Sequence, residues 1–105
     1  MAKRSKSATA LLILDMISEY RYPHGERIVR SARKAAPNIA RLRERAHAAG
    51  IPVIYVNDTA GKWESDQKSF IERCMQPESR GREIVQLLAP TPEDYFMFKP
   101  MHSAF

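Results

Sequence analysis

Three ionisable side chains stand where this sequence leaves an apolar run. Asp15 follows TALLIL, Asp58 follows IPVIYVN, and Lys99 follows DYFMF. Each run thus carries an ionisable side chain at its C-terminal end. A short unbroken apolar run reads as a strand buried on both faces, in the middle of a parallel sheet. Open α/β sheets bind their ligands beyond the C-terminal ends of such strands. Asp15 is therefore the first candidate for chemistry, although its position also suits a carboxylate that caps the next segment or pairs with a surface base.

Other reactive residue types are sparse. The single cysteine, Cys74, excludes an internal disulfide and a cysteine-rich zinc site, and it fits a reducing cytoplasm. It lies among apolar neighbours in a helical stretch and reads as a buried core thiol. His102 is a lone histidine beside Lys99, better suited to a structural hydrogen bond than to base chemistry. Arg27, Arg30, Arg33, Arg41 and Arg45 recur along a helical pattern without interleaved aromatic residues, which reads as a solvated face and not a nucleic-acid site.

The elements that must position these groups follow from periodicity. Ala10 to Leu14 is the first strand. Pro23, His24 and Gly25 mark a loop, and a helical pattern begins at Glu26, with Ile28, Val29, Ala32 and Ala35 on one apolar face. Pro37 predicts the first turn of a new helix, since a helix interior would pay about 3 kcal/mol for it. Ile39, Leu42, Ala46 and Ala49 carry the pattern on to Gly50, and Pro52 prevents its continuation. Ile51 to Val56 is a second strand, so strand, helix and strand form a βαβ unit. A loop holds Gly61 and Trp63, Ser65 is placed to cap a helix over about 66–75, and Pro77 breaks it. A short apolar pattern at Ile84, Val85, Leu87 and Leu88 precedes the third strand, Asp94 to Lys99. The expected organisation is β-α-β-α-β, an α/β fold with a parallel sheet.

Composition sets the bounds. The 105 residues are enough for one domain, with 44% hydrophobic and 28% charged residues and a net charge of +5. Lys3, Arg4 and Lys6 make residues 1–8 a basic, disordered N-terminus, and residues 9–105 the folded part. The apolar run after them is short, ends in Asp15 and lacks a small-residue cleavage site, so it does not read as a signal peptide. No run approaches membrane-spanning length. The expectation is a cytoplasmic protein that engages neither membrane nor nucleic acid.

Taken in order, LLILDMI, AAGIPVIYVND, the GKWESD loop and FKPMHSAF resemble the N-terminal half of an isochorismatase-like cysteine hydrolase. The resemblance runs from Ala10 nearly to the end of the chain, and its force lies in the ordered combination. It implies a three-layer α/β/α, Rossmann-like parallel sheet with strand order 3-2-1-4-5-6, truncated here after the third strand. It also implies an Asp, Lys and Cys catalytic set acting on small amides or an isochorismate-type vinyl ether. Asp15 matches the family's Asp after the first strand, and Lys99 matches its Lys after the third.

The same resemblance places Tyr20, Trp63 and Phe105 at a substrate pocket or subunit contact, where ordinary aromatic packing is the competing reading. The family's nucleophile lies in the second half, so Cys74 does not inherit that role. Some relatives bind a divalent ion through an Asp-x-His pattern near the second strand. Here Asp58 is followed by Thr59 and Ala60, so no metal and no cofactor are expected. The expected partners are a small-molecule substrate and either a second copy of the chain or a complementing C-terminal half. A chain without the nucleophile is expected to be inactive alone, and the alternative is a non-catalytic remnant or an interaction module that pairs through its incomplete sheet.

Overall fold

The middle strand of the sheet is the second in the chain. In a computed structural model, whose described residues are 8–58 and 66–99, three parallel strands run in the order β1-β2-β3. They are β1 (Leu11–Leu14), β2 (Val53–Asn57) and β3 (Tyr95–Phe98). Leu11 aligns with Val53 and Ile13 with Tyr55, while Tyr55 and Asn57 align with Phe96 and Phe98. Helices α1 (Gly25–Ala48), α2 (Gln67–Cys74) and α3 (Arg82–Leu88) complete the described elements. The expected α/β parallel sheet, with its 3-2-1 order, is what the chain forms. The short apolar pattern before the third strand is a helix of its own, α3.

Alternation along the strands divides the sheet into two unlike faces. Ile13, Val53 and Tyr55 join one buried cluster with Val29, Ala32, Ala36, Phe70, Ile84, Val85 and Leu88 from the helices, and Phe96 and Phe98 pack against it. The opposite face carries Leu12, Leu14, Tyr95 and Met97, each between 43% and 52% exposed. The described residues thus supply the sheet and one helical layer of the α/β/α arrangement.

Helix α1 is continuous through Pro37, contrary to the two-helix expectation. Pro37 has no N–H to donate to the Arg33 carbonyl, and it sits on the exposed side of the helix. Core contacts on both sides of it, Ala32 and Ala36 before and Ile39 and Ala46 after, keep the helix continuous. The apolar stripe is also turned from the expected one: Val29, Ala32 and Ala36 are buried, and Ile28 and Ala35 are exposed. At its end, the Ile51 N–H bonds the Ala46 carbonyl at 2.8 Å, closing the helix at Gly50. The cap of α2 is Asp66, whose carboxylate accepts the Lys68 N–H at 3.0 Å. Ser65, the expected cap, lies outside the described residues.

Two polar ties fix the helices to the sheet. Arg43 donates to the Tyr55 hydroxyl at 2.8 Å and to the Ala89 and Leu87 carbonyls at the end of α3. His47 Nε2 lies 2.7 Å from Asp94 Oδ1, and Asp94 also takes the Thr91 N–H at 2.8 Å, which anchors the approach to β3. No helix among the described residues is long and apolar enough to cross a membrane.

Candidate functional site

Asp15 is the first residue after β1, and its N–H still bonds β2 through the Val56 carbonyl at 2.9 Å. Its φ of 55° is left-handed, a conformation that aspartate tolerates better than most residues. Lys99 is the first residue after β3, and its N–H bonds the Asn57 carbonyl at 2.8 Å. Both charged residues are therefore held by backbone bonds to the end of the middle strand. Their side chains meet there, with Lys99 Nζ 2.7 Å from Asp15 Oδ2. The other carboxylate oxygen, Oδ1, accepts the Asp58 N–H at 2.9 Å. The Lys99 side chain is only 6% exposed and the Asp15 side chain 48%. The ammonium is thus covered and the carboxylate is left open to approach.

The carboxylate opens onto a cavity of about 270 Å³. Ile17, Tyr22 and Phe70 give it apolar walls, and Asn57 and Asp58 line it at the sheet edge. Its far side holds an ion pair, Arg73 to Glu19 at 3.1 Å, with the guanidinium 5.4 Å from the centre of the Phe70 ring. Burial, and then the neighbouring Asp15 carboxylate, push the Tyr22 phenol above its ordinary pKa. The arrangement offers a carboxylate with an adjacent buried cation, beside a space sized for a small molecule.

The loop that shapes this cavity is held by close approach. A Cβ on Gly25 would lie 2.1 Å from the Tyr20 carbonyl oxygen, and one on Gly81 would lie 1.9 Å from that of Ser18. Only glycine fits at these two contacts. Asn57 adds a tie from inside, donating its side-chain amide to the Ile17 carbonyl, and is 2% exposed.

The expected site residues fall into three groups. Asp15 and Lys99 are brought into direct contact. Tyr20, expected at the substrate pocket, is instead 1% exposed in the core, with its hydroxyl donated to the Met16 carbonyl at 2.8 Å. Tyr22 is the tyrosine that lines the cavity. Trp63, Phe105 and His102 lie outside the described residues. Cys74 is fully buried in the hydrophobic cluster and does not line the cavity.

Sequence reasoning missed Asn57, Tyr22 and the Glu19–Arg73 pair. Asn57 carried one signal, since the alternation Val53, Tyr55, Asn57 points it to the core face. Among the described residues, no three His, Cys, Asp or Glu side chains converge in a way that would hold a metal ion.

Comparison with known proteins gives two matches. The isochorismatase domain family matches residues 9–105. The uncharacterized isochorismatase family protein YaaI of Bacillus subtilis (strain 168) is 40% identical over 101 residues, covering 96% of this chain and 55% of that protein. The chain therefore spans about half the length of the curated relative it matches. No solved structure matches.

Proposed function

This chain belongs to the isochorismatase family, and from that membership we propose that it supplies the Asp15 and Lys99 half of a cysteine-hydrolase site. The family supports hydrolase chemistry in general. The finer reading is hydrolysis of a small amide or an isochorismate-type vinyl ether, with the nucleophilic thiol coming from a segment outside this sequence. The observation that carries it is the 2.7 Å contact between Lys99 Nζ and Asp15 Oδ2 at the mouth of the cavity.

For an amide, each group has a definite task. The Asp15 carboxylate takes the thiol proton, since only the thiolate is a strong nucleophile. The thiolate attacks the carbonyl carbon, and the carbonyl electron pair moves to oxygen. Lys99, held beside Asp15, stabilises the negative charge of the thiolate and of the species that follows. Backbone N–H groups near the cysteine would bind the oxyanion. The amine then leaves with the proton Asp15 took, and water cleaves the thioester. The cavity of about 270 Å³ beside Asp15 favours a small substrate. A cytoplasmic setting is part of the same proposal, because a free thiol nucleophile works best under reducing conditions.

The test is complementation. The chain is co-expressed with the C-terminal half of a family relative and assayed against small amides and isochorismate. Activity in the pair, and none in the chain alone, is the expected result. Turnover by the chain alone that disappears in Cys74→Ser would overturn the assignment of the nucleophile.

A second reading has its own observation, the uncovered sheet face of Leu12, Leu14, Tyr95 and Met97. On that reading the chain is a non-catalytic module that pairs through its sheet, with itself or with a partner. Self-association that depends on this face, together with failure of every complementation, would favour it.

A further inference from the structure

Two ion pairs border the cavity beside Asp15, and the reaction uses only one of them. Asp15 is met by Lys99 at 2.7 Å. The other pair joins Arg73 Nε to Glu19 Oε1 at 3.1 Å, and both of its side chains are largely covered, Arg73 26% exposed and Glu19 17%. Arg73 sits in the last turn of α2, one turn after Phe70, and its guanidinium lies 5.4 Å from the centre of that ring. Glu19 lies in the loop after β1, between two residues whose backbone is held. The Ser18 carbonyl presses against Gly81, Ser18 Oγ accepts the Tyr20 N–H at 2.8 Å, and the Tyr20 carbonyl accepts from Arg80 at 3.0 Å. Both partners are thus held in place, unlike the two mobile side chains of an ordinary surface pair.

The charges around the cavity decide what fits it. Among the described residues, the lining carries three carboxylates, Asp15, Glu19 and Asp58, and one cation, Arg73. Lys99 adds a second cation, held against Asp15. Each cation therefore already has a carboxylate on it. A substrate carboxylate would have to take Arg73 from Glu19, which strips a largely covered carboxylate of that partner, or else lie among like charges. Both arrangements are costly away from bulk water. An uncharged molecule meets neither cost, and Ile17, Tyr22 and Phe70 offer its apolar part a wall.

We propose that Glu19 and Arg73 set substrate specificity: Glu19 occupies the guanidinium that would otherwise hold a substrate carboxylate, so the site selects a small uncharged amide over a carboxylate-bearing one. The inference rests on the hydrolase reading above and narrows it, because isochorismate is a dicarboxylate. Arginine is the side chain best shaped to grip a carboxylate, so the group already bonded to Arg73 governs which ligands enter. Were the pair only a tie between the loop and α2, its loss would weaken the fold without changing which ligand is preferred.

The test compares levulinamide with succinamate, two small amides of nearly the same shape that differ in a methyl ketone against a carboxylate. Binding to the full chain is followed by NMR titration. Turnover is followed as ammonia release from the chain complemented by the C-terminal half of a relative. Levulinamide is expected to bind roughly tenfold or more tighter than succinamate. Glu19→Gln should bring the two close together by strengthening succinamate, and Arg73→Gln, which leaves the Glu19 charge in place, should widen the gap. Thermal unfolding checks each variant, and the wild-type comparison stands even where a variant does not fold. In the complemented enzyme the same preference should appear in KM more than in kcat. Succinamate binding to the wild-type chain as tightly as levulinamide overturns the proposal, and so does binding of neither. A folded Glu19→Gln variant that keeps the wild-type ratio overturns it as well, since the pair would then be a structural tie. Selective binding of levulinamide without turnover of either amide would leave the charge selection standing and overturn the hydrolase reading instead.

Discussion

Lys99 places its ammonium 2.7 Å from the Asp15 carboxylate, although β1 and β3 are not neighbours in the sheet. The lysine side chain spans the end of β2 to get there. Two strand spacings come to roughly 10 Å, within reach of a lysine that starts beside a bent-back aspartate. The middle strand prepares the contact. The Asn57 carbonyl takes the Lys99 N–H, and the Asp58 N–H takes one Asp15 oxygen. Removing either partner should therefore act on both rate and stability, and unequally.

Asp15→Asn keeps the shape but leaves the Lys99 ammonium, with a side chain only 6% exposed, facing a neutral amide. Lys99→Met removes the buried charge and keeps the packing of the stem. Urea unfolding should show Asp15→Asn as the more costly change, by about 1–2 kcal/mol, a figure reduced from that of a fully buried pair because Asp15 is half exposed. In the complemented enzyme each variant should lose on the order of 10²- to 10⁴-fold in rate. Restored activity that tolerates Asp15→Asn would remove Asp15 from the base role.

Much of this site was legible because strand ends are legible. LLIL, VIYVN and YFMF are apolar runs bounded by polar residues, and a parallel sheet brings their ends to one edge whatever the helices do. Residues 16–24 were not legible in the same way. A loop has no period, so nothing in the sequence distinguished Tyr20, which turns into the core, from Tyr22, which lines the cavity. Pro37 misled for a related reason. Local propensity asked for a break, and the core contacts of Ala36 and Ile39 overrode it. The Glu19–Arg73 pair joins residues far apart in sequence, and no local pattern announces such a contact.

Cys74 should behave as packing. It is fully buried, with Phe70, Ile84 and Val85 in the same cluster. A thiol reagent should leave the native chain unlabelled and modify it once denaturant unfolds it. Cys74→Ala should cost about 1–2 kcal/mol through the small cavity it opens, and leave the complemented activity nearly unchanged. Rapid labelling of the native chain would contradict that placement.

Alkaline pH should weaken the fold through its tyrosines. Burial raises the Tyr20 phenol far above its ordinary pKa of 10.0, and nearby Tyr22, Cys74 and Asp15 push in the same direction. Burial also raises Tyr55, with Arg43 pulling part of the way back. These groups hold their protons more tightly folded than unfolded. The stability they give is complete below pH 10 and is lost as pH rises through the folded values. Tyr20 and Tyr55 should each withdraw up to about 1.4 kcal/mol per pH unit above pH 10. Tyr22, 41% exposed, should add less. Urea midpoints measured from pH 8 upward check this, and a flat profile well beyond pH 10 would refute it.

The uncovered sheet should govern how the chain associates. On one face Leu12, Leu14, Tyr95 and Met97 lie open, and along β1 no strand pairs on the side away from β2 among the described residues. In a parallel ladder the residues bonded to β2 alternate with those that are not. Leu11 and Asp15 donate to β2, so the N–H and C=O groups of Leu12 and Leu14 point to the open edge. An apolar edge of this kind is a template for another strand. Light scattering behind size exclusion should find the chain associated, and Leu12→Lys with Leu14→Lys should shift it towards monomer. Met97→Lys separates two causes, because Met97 shares the open face but sits on β3, away from the β1 edge. If strand pairing at the β1 edge dominates, Met97→Lys changes little; if burial of the face dominates, it dissociates the assembly as well as the leucine pair does. A wild-type chain that stays monomeric at high concentration and unfolds cooperatively would show that neither surface drives association.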